Sequence, residues 1–155
     1  MKYHLLALGL AVSAFSVTTW SAASEKVTGT DTTAKWMIEQ ERAWAEEACS
    51  NNGVTTELLA DDFHGTSTKG KRYDKPKSTN DSNRVLSSDC RLLDADVRFF
   101  GHHIAIIYGS ETRLDAHPDA KQERKCQVWT DTWLKRSGKW QIVAAQDTLV
   151  ECPPM

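Results

Sequence analysis

The chain from Cys90 onward alternates between apolar and polar residues with the period of a β-strand. Four such segments follow one another, "CRLLDADVRFF", "IAIIYGSETR", "KCQVWTDTWLKR" and "KWQIVAAQDTLVEC". They are separated by "GHH", by a polar loop and by the dipeptide Ser137-Gly138. Short turns that contain glycine join antiparallel neighbours. The pattern therefore predicts an antiparallel meander of four strands.

Each predicted strand has one face that suits a core, because side chains alternate in direction along a strand. On the first strand this face holds Leu93, Ala95, Val97 and Phe99. On the second strand the predicted inner residues are Ile104, Ile106 and Tyr108.

The last hairpin places an acid on an apolar face. If Arg136 pairs with Lys139 across the turn, three cross-strand pairs share one face, namely Trp133 with Ile142, Asp131 with Ala144, and Trp129 with Gln146. The opposite face is more polar, so the face with the Trp residues is the inner one. A charge on an inner face is costly unless it is paired or reaches water. Asp131 is therefore expected to have either a structural partner or a pocket.

The first half of the chain favours helices. A helix is predicted from about Thr33 to Cys49, capped by Thr32 or Thr33 and ended by "SNNG". One face of this helix would hold Met37, Glu41, Trp44 and Ala48. A short helix over 55–60, two short strands within "DDFHGTSTKGKRYDK" and a weak helix within 77–88 are expected to follow.

The N-terminal segment has the layout of a secretory signal. Lys2 precedes an apolar run from Leu5 to Val17, and small residues stand at Ser21 and Ala23. The alternative is a membrane anchor, but the run is shorter than the ~20 residues that a spanning helix needs. We expect cleavage after Ala23 and a periplasmic or secreted protein, with residues 24–33 as a flexible lead-in.

Composition excludes several classes of function. The chain has 155 residues and a formal net charge of −2. It therefore lacks the excess of positive charge that is typical of proteins that bind nucleic acid. No phosphate loop, dinucleotide fingerprint or nucleophile elbow is present in the sequence, so no cofactor is expected. The His residues are scattered, so no metal is expected either. No membrane association is expected after signal cleavage.

The cysteines indicate disulfides. Four Cys residues lie in the expected mature chain, at positions 49, 90, 126 and 152, and an even count in an exported chain favours two bridges. Sequence alone leaves three connectivities open. In the predicted meander a whole strand separates Cys90 from Cys126, about 9–10 Å, which is beyond the ~7 Å that a bridge spans. This strand order favours Cys126 with Cys152 and Cys49 with Cys90.

Several stretches resemble the nuclear transport factor 2-like superfamily, and in particular the branch called domain of unknown function 4440, near the SnoaL-like and ketosteroid-isomerase-like domains. They are "EQERAWAEEA", "LLADDFHGTSTKGK", "VRFFGHHIAIIYG" and "VWTDTWLKRSGKWQIVAAQDT". The resemblance implies one α+β domain over 34–152, a cone in which helices pack on the concave face of a strongly bent, mainly antiparallel sheet. It also implies a possible homodimer through the outer face of the sheet.

The resemblance implies a cavity but no single activity, because the superfamily contains enzymes and binding domains. The isomerases place a Tyr on the first helix, whereas Tyr108 lies on a strand. Asp131 and Glu41 are the candidate catalytic residues, and each has the alternative of a purely structural role. The candidate ligand-binding residues, which also have the alternative of plain core packing, are Trp44, His64, Tyr108, Trp129, Trp133 and Gln146.

Three functions are compatible with these residues. The first is an exported domain that binds a small apolar or amphipathic molecule without chemistry. The second is an acid/base enzyme of the isomerase or dehydratase type, in which Asp131 moves a proton and Glu41 or His64 assists. The third is a protein-interaction module.

Overall fold

The computed structural model describes residues 25–26, 31–82, 87–115 and 122–153. The predicted signal segment lies outside these residues. The helices are α1 (Thr32–Ser50), α2 (Thr55–Leu58) and α3 (Lys75–Ser82). The strands are β1 (Glu25–Lys26), β2 (Leu59–Thr66), β3 (Arg72–Asp74), β4 (Ser87–Phe100), β5 (Ile104–Asp115), β6 (Arg124–Arg136) and β7 (Lys139–Val150).

The strands form one sheet in the order β1-β4-β5-β6-β7-β2-β3. The predicted meander is confirmed, since β4, β5, β6 and β7 pair as successive antiparallel neighbours. Strand β2 joins the far side of β7 in parallel, which makes the sheet mixed. The fold is therefore α+β, with helices packed against a mainly antiparallel sheet, as expected.

Helix α1 begins one residue before the predicted start because Asp31 caps it. Its Oδ1 accepts hydrogen bonds from the backbone N–H groups of Thr33 (2.6 Å) and Ala34 (3.3 Å), so neither Thr32 nor Thr33 acts as the cap. The helix ends at Ser50, and the capping residue Asn51 takes the left-handed conformation at φ 52°. The fully buried side chains of its inner face include Ala34, Met37, Glu41 and Ala45.

The second helix is shorter than predicted. It ends at Leu58, and Leu59 already belongs to β2. Leu58, Leu59 and Phe63 are buried in the core cluster. Continuing the helix to Ala60 would remove these residues from the edge of β7, so packing overrides the local helical preference here.

A β-bulge changes the register of the last hairpin. Trp133 faces Ile142 as predicted, but the register shifts at this point, so Asp131 faces Ala145 and Trp129 faces Asp147. The extra residue turns every later side chain of β7 to the other face. Gln146 is therefore exposed opposite Thr130. The prediction that Gln146 lies on the inner face was wrong, and Asp147 takes that place.

The inner face of β5 is also the opposite of the predicted one. Ala105 and Ile107 are fully buried, whereas Tyr108 is 43% exposed. Ile107 pairs with Val97 on one side and Asp131 on the other, so it shares their face, and Tyr108 faces outward. A register shift after Leu92 likewise leaves Leu93 exposed.

Both disulfides have the predicted connectivity. Cys49–Cys90 joins the last turn of α1 to β4, and Cys126–Cys152 joins the start of β6 to the segment after β7. No described cysteine is free. The first bridge fixes one end of α1 against the sheet, and the second fixes the end of the last strand.

Two glycines on the inner face make room for aromatic rings. A Cβ atom at Gly109 would meet the Trp129 ring at 2.3 Å, and one at Gly65 would meet the Tyr73 ring at 2.3 Å. Both rings therefore occupy the space above a glycine, where any other residue would have a side chain. These two close approaches determine where Trp129 and Tyr73 can stand on the sheet.

We expect Gly109→Ala to lower the free energy of unfolding by about 1–3 kcal/mol, because the added methyl group displaces the Trp129 ring. Ser110→Ala, one residue along and on the opposite face, is the control and should change stability much less. Denaturant melts of the single variants and of Gly109→Ala combined with Trp129→Leu measure the effect. If the two substitutions are strictly additive, the proposed contact is absent.

Candidate functional site

Four carboxylates gather on the inner face of the sheet. Glu41 comes from α1, Glu111 from β5, Asp131 from β6 and Asp147 from β7. Glu41, Glu111 and Asp147 each raise the pKa of at least one other member, and Asp131 shares a hydrogen bond with Glu41, so the four form one electrostatic unit. We call these four residues the acid cluster.

Glu41 and Asp131 form the buried pair at the centre of the cluster, with only 2% and 3% of their surfaces exposed. The indole Nε1–H of Trp133 donates a hydrogen bond of 2.6 Å to Glu41 Oε1. The two carboxyl groups lie within hydrogen-bonding reach of each other. Asp131 Oδ1 receives no hydrogen bond from any other described group. A proton between the carboxyl groups is therefore the contact that joins them.

Burial raises the pKa of both members of this pair. It raises the pKa of Glu41 to about 8, even though the bond from Trp133 favours the charged form. Burial raises the pKa of Asp131 well above its ordinary value, and the nearby charge of Glu41 adds to the effect. The pair consequently holds at least one proton at neutral pH. Because Glu41 already has a donor in Trp133, the shared proton resides on Asp131.

Glu111 and Asp147 stand nearer the surface. Burial raises the pKa of Glu111 to about 7 and that of Asp147 to about 6, and the positive charge of Arg113 moderates both increases. Arg113 Nη1 donates to Glu111 Oε1 at 3.2 Å. The hydroxyl of Tyr73 donates to Asp147 Oδ2 at 3.5 Å, a long hydrogen bond. These two acids and Arg113, which are only partly buried, make the rim of the cluster.

Trp129 lies between the rim and the buried pair. It is 6% exposed, and its Nε1–H has no acceptor in hydrogen-bonding geometry among the described groups. It is still close enough to Glu111 to lower the pKa of that carboxyl. The cluster therefore contains both an unfilled buried acceptor, on Asp131, and an unfilled buried donor, on Trp129.

The structure brings together part of the predicted set. Glu41, Trp129, Asp131 and Trp133 meet beneath α1. Trp44 is half-buried and packs edge-on against Phe63 with ring centroids 6.2 Å apart, so it belongs to the wall beside the cluster.

Three predicted residues do not reach the site. Tyr108 and Gln146 are exposed on the outer face of the sheet, for the reasons of register given above. His64 is also exposed, because Phe63 and Gly65 on either side of it turn toward the core. The structure therefore places the His64 side chain away from the Glu41–Asp131 pair.

Sequence reasoning missed four members of the site, which are Tyr73, Glu111, Arg113 and Asp147. Glu111 and Arg113 follow Gly109 at spacing two and would have been found with the correct face of β5. Asp147 was missed because the β-bulge, which turns it to the inner face, was not predicted. Tyr73 reaches the cluster only because β2 and β3 pack beside β7, which local pattern does not predict.

The arrangement allows two kinds of chemistry. A carboxyl pair that shares a proton near neutral pH can donate or accept that proton. A group of acids with raised pKa values can also bind a cation, which would replace the missing protons. No three described His, Cys, Asp or Glu side chains converge closely enough to hold a metal ion.

Comparisons with solved structures identify the fold. The chain resembles an NTF2-like protein (nuclear transport factor 2-like) of unknown function in nutrient uptake from Rhodospirillum rubrum, at 22% identity over 78% of this chain and 100% of that one, with a TM-score of 0.63. An NTF2-like protein from Cytophaga hutchinsonii matches at 11% identity, 78% and 100% coverage and a TM-score of 0.64. The association domain of C. elegans CaMKII matches at 12% identity, 78% and 99% coverage and a TM-score of 0.59.

The protein thus has the fold of the NTF2-like proteins, a cone of helices on a bent sheet. At these identities the likeness shows the fold alone. No protein-family model matches the sequence, and no curated protein does. Within the described part of the chain, no helix has the length and apolar character needed to cross a membrane.

We expect the folded protein to be more stable at pH 5 than at pH 8.5. The pKa values of Glu41, Glu111 and Asp147 are raised to about 8, 7 and 6, above the value of about 4 for unfolded carboxyl groups. The folded state therefore binds more protons in this range, and its stability falls as pH rises through these values. Each such proton contributes about 1.4 kcal/mol per pH unit. Thermal melts across the range measure the slope.

Asp131→Asn should flatten this slope and should raise stability relative to wild type at pH 8.5, because it removes a buried charge that has no cation partner. Asp96→Asn, which removes an exposed carboxylate from β4, is the control. The acids with lowered pKa values, Asp62 and Asp89, titrate below this range and do not affect it. Equal slopes in all three proteins would mean that the buried pair does not titrate in the folded state.

Proposed function

We propose that the protein is an exported domain that binds a small molecule against the inner face of its sheet. The observation that supports this most directly is that two of the unfilled buried polar atoms, Asp131 Oδ1 and Trp129 Nε1, belong to residues two positions apart on β6 within the acid cluster. Buried polar groups are nearly always hydrogen-bonded, so such a pair is typical of a place where a ligand supplies the partners. The shared fold with NTF2-like proteins of unknown function is compatible with binding.

Two features of the chain support export. Both described disulfides tie the domain together, and disulfides persist in oxidising compartments. The signal-like N-terminal segment agrees with this. We also place the chain in the branch called domain of unknown function 4440 on the strength of its "VWTDTWLKRSGKWQIVAAQDT" segment, residues 128–148.

Native mass spectrometry of the exported, purified protein tests the binding function. We expect a co-purified small molecule that is released on denaturation, and we expect Asp131→Asn to lose most of it. Asp96→Asn, with the same loss of charge on the outer face, should retain it. A ligand-free spectrum, together with no stabilisation of the protein in a screen of small amphipathic compounds, would contradict the proposal.

A second candidate function is acid/base catalysis, favoured by one specific observation. No cation among the described residues lies against either carboxyl group of the Glu41–Asp131 pair, and the pair holds a proton near neutral pH. Asp131 would take a proton from carbon and pass its own proton to Glu41 through the shared hydrogen bond, and the reverse transfers would return a proton to carbon. Deuterium exchange at the carbon next to the carbonyl of a small cyclic ketone, followed by NMR, measures this. Exchange equal in wild type and Asp131→Asn would exclude this role.

We further propose a homodimer through the outer face of the sheet. Apolar side chains there are substantially exposed, among them Ile104 (41%), Tyr108 (43%) and Val128 (42%). Polar residues interrupt them, which favours a second copy of this chain over a purely apolar partner. We expect sedimentation velocity to give a dimer at micromolar concentration and Val128→Lys to give a monomer with an unchanged melt. If wild type and variant sediment alike, this face is not an interface.

A further inference from the structure

We propose that the molecule bound at the acid cluster is a small organic cation, a protonated amine on an apolar body. This inference rests on the proposed binding function and gives the class of its ligand. Nothing in the resemblance or in the solved relatives assigns a charge to the ligand.

The charge on the inner face is unbalanced. Among the described residues of the elements that surround the cluster, the ionisable side chains that face it are Glu41 from α1, Tyr73 from β3, Glu111 and Arg113 from β5, Asp131 from β6 and Asp147 from β7. Strand β4 contributes apolar side chains to this face, such as Val97 and Phe99. One guanidinium therefore faces four carboxyl groups. A ligand with a positive charge would correct this balance, whereas a neutral or anionic ligand would not.

The unfilled acceptor is suited to an ammonium group. Asp131 Oδ1 is buried and receives no hydrogen bond from the described residues. A protonated primary amine carries N–H donors that can reach this oxygen and a neighbouring carboxylate at once. Charge-assisted bonds of this kind are the strong ones, and they gain further in a poorly solvated site.

The aromatic walls suit the apolar body of the same ligand. The Trp129 ring lies over Gly109 and the Tyr73 ring lies over Gly65, which places both aromatic rings on the same face of the sheet as the carboxyl groups. Trp and Tyr faces attract cations and pack alkyl chains. The acids do not converge on one point as metal ligands do, which favours an extended organic cation over a metal ion.

The burial of the carboxyl groups is graded from the surface inward. The Glu111 side chain is 13% exposed and that of Arg113 is 26% exposed, whereas Glu41 and Asp131 are buried. A cation approaching the rim first meets Glu111 and Asp147, and then the pair beneath. This gradient gives the cluster an outer and an inner end, with the ammonium group at the inner one.

Cation binding and proton binding compete for the same carboxyl groups. The amine remains charged from pH 6 to pH 8.5, while the acids of the cluster lose protons over that range. The affinity for the cation should therefore rise with pH. Binding at low pH should release protons to the buffer.

Isothermal titration of the mature protein with three probes of equal chain length tests the inference. The probes are hexylammonium chloride, hexanol and sodium hexanoate, each at pH 6 and at pH 8.5. We expect hexylammonium to bind at least about tenfold more tightly than hexanol at pH 8.5, and to bind several-fold more weakly at pH 6. Titrations in two buffers of different ionisation heat should show proton release at pH 6.

Two variants and one control assign the effect to the cluster. Asp131→Asn and Glu111→Gln should each lower the affinity for hexylammonium about tenfold or more and leave that for hexanol unchanged. Two positions are used so that a folding defect in one variant does not decide the outcome. Asp96→Asn on the outer face should leave both affinities unchanged.

The outcomes separate this inference from the binding function. If hexanol binds as tightly as hexylammonium, or if Asp131→Asn leaves amine binding intact, the cationic ligand is excluded while a binding pocket remains. If hexanoate binds best, Arg113 rather than the acids selects the ligand and the inference is wrong. If none of the probes binds, the inference is also wrong, and the co-purified ligand from native mass spectrometry then decides the binding function by itself.

Discussion

The proton held between Glu41 and Asp131 is the contact on which the inner face of this protein depends. Two carboxyl groups are buried between α1 and the sheet, and no described cation contacts either of them. Two full negative charges in that position would repel each other and lose their hydration, at a cost of several kcal/mol. The shared proton removes one of the two charges and joins the two carboxyl groups by a hydrogen bond. Because Glu41 stands on α1 and Asp131 on β6, that proton also joins the helix to the sheet.

Trp133 links this pair to the core. It is fully buried and packs with Met37 and Ile142 in the same cluster, while its Nε1–H donates to Glu41. A single side chain thus satisfies a buried acceptor and fills core volume. Trp129, two residues earlier, packs as closely over Gly109 but leaves its own donor unfilled. The side chains at the inner end of the cluster are therefore fixed by packing and by a hydrogen bond. Toward the rim, the Trp129 donor has no hydrogen-bond partner among the described residues.

The order of elements could be predicted from the sequence, but the faces of two strands could not. Period-two alternation located the meander, and strand order gave the disulfide partners. The bulge beside Trp133 has no local signal in "KWQIVAAQ", where small and apolar residues fit either face. In "IAIIYG" both faces are apolar, so only the pairing of Ile107 with Val97 decides which one is buried. Because of these two ambiguities, Tyr108 and Gln146 were predicted on the wrong face of the sheet. The first of the two, in β7, also kept Asp147 out of the predicted site.

The raised pKa values help to decide whether the acid cluster stabilises the fold or binds a ligand. Replacing a buried ionic group by apolar residues of similar volume is often neutral or stabilising, so stability alone gives no reason for four acids on an inner face. Here burial opposes the charged form of each acid, so the acids weaken the fold as pH rises. Ionisable groups that destabilise the folded state and have pKa values near neutrality are found most often at functional sites. A ligand that supplies positive charge would turn the same groups from a source of instability into one of stability, because binding to the folded state alone stabilises it.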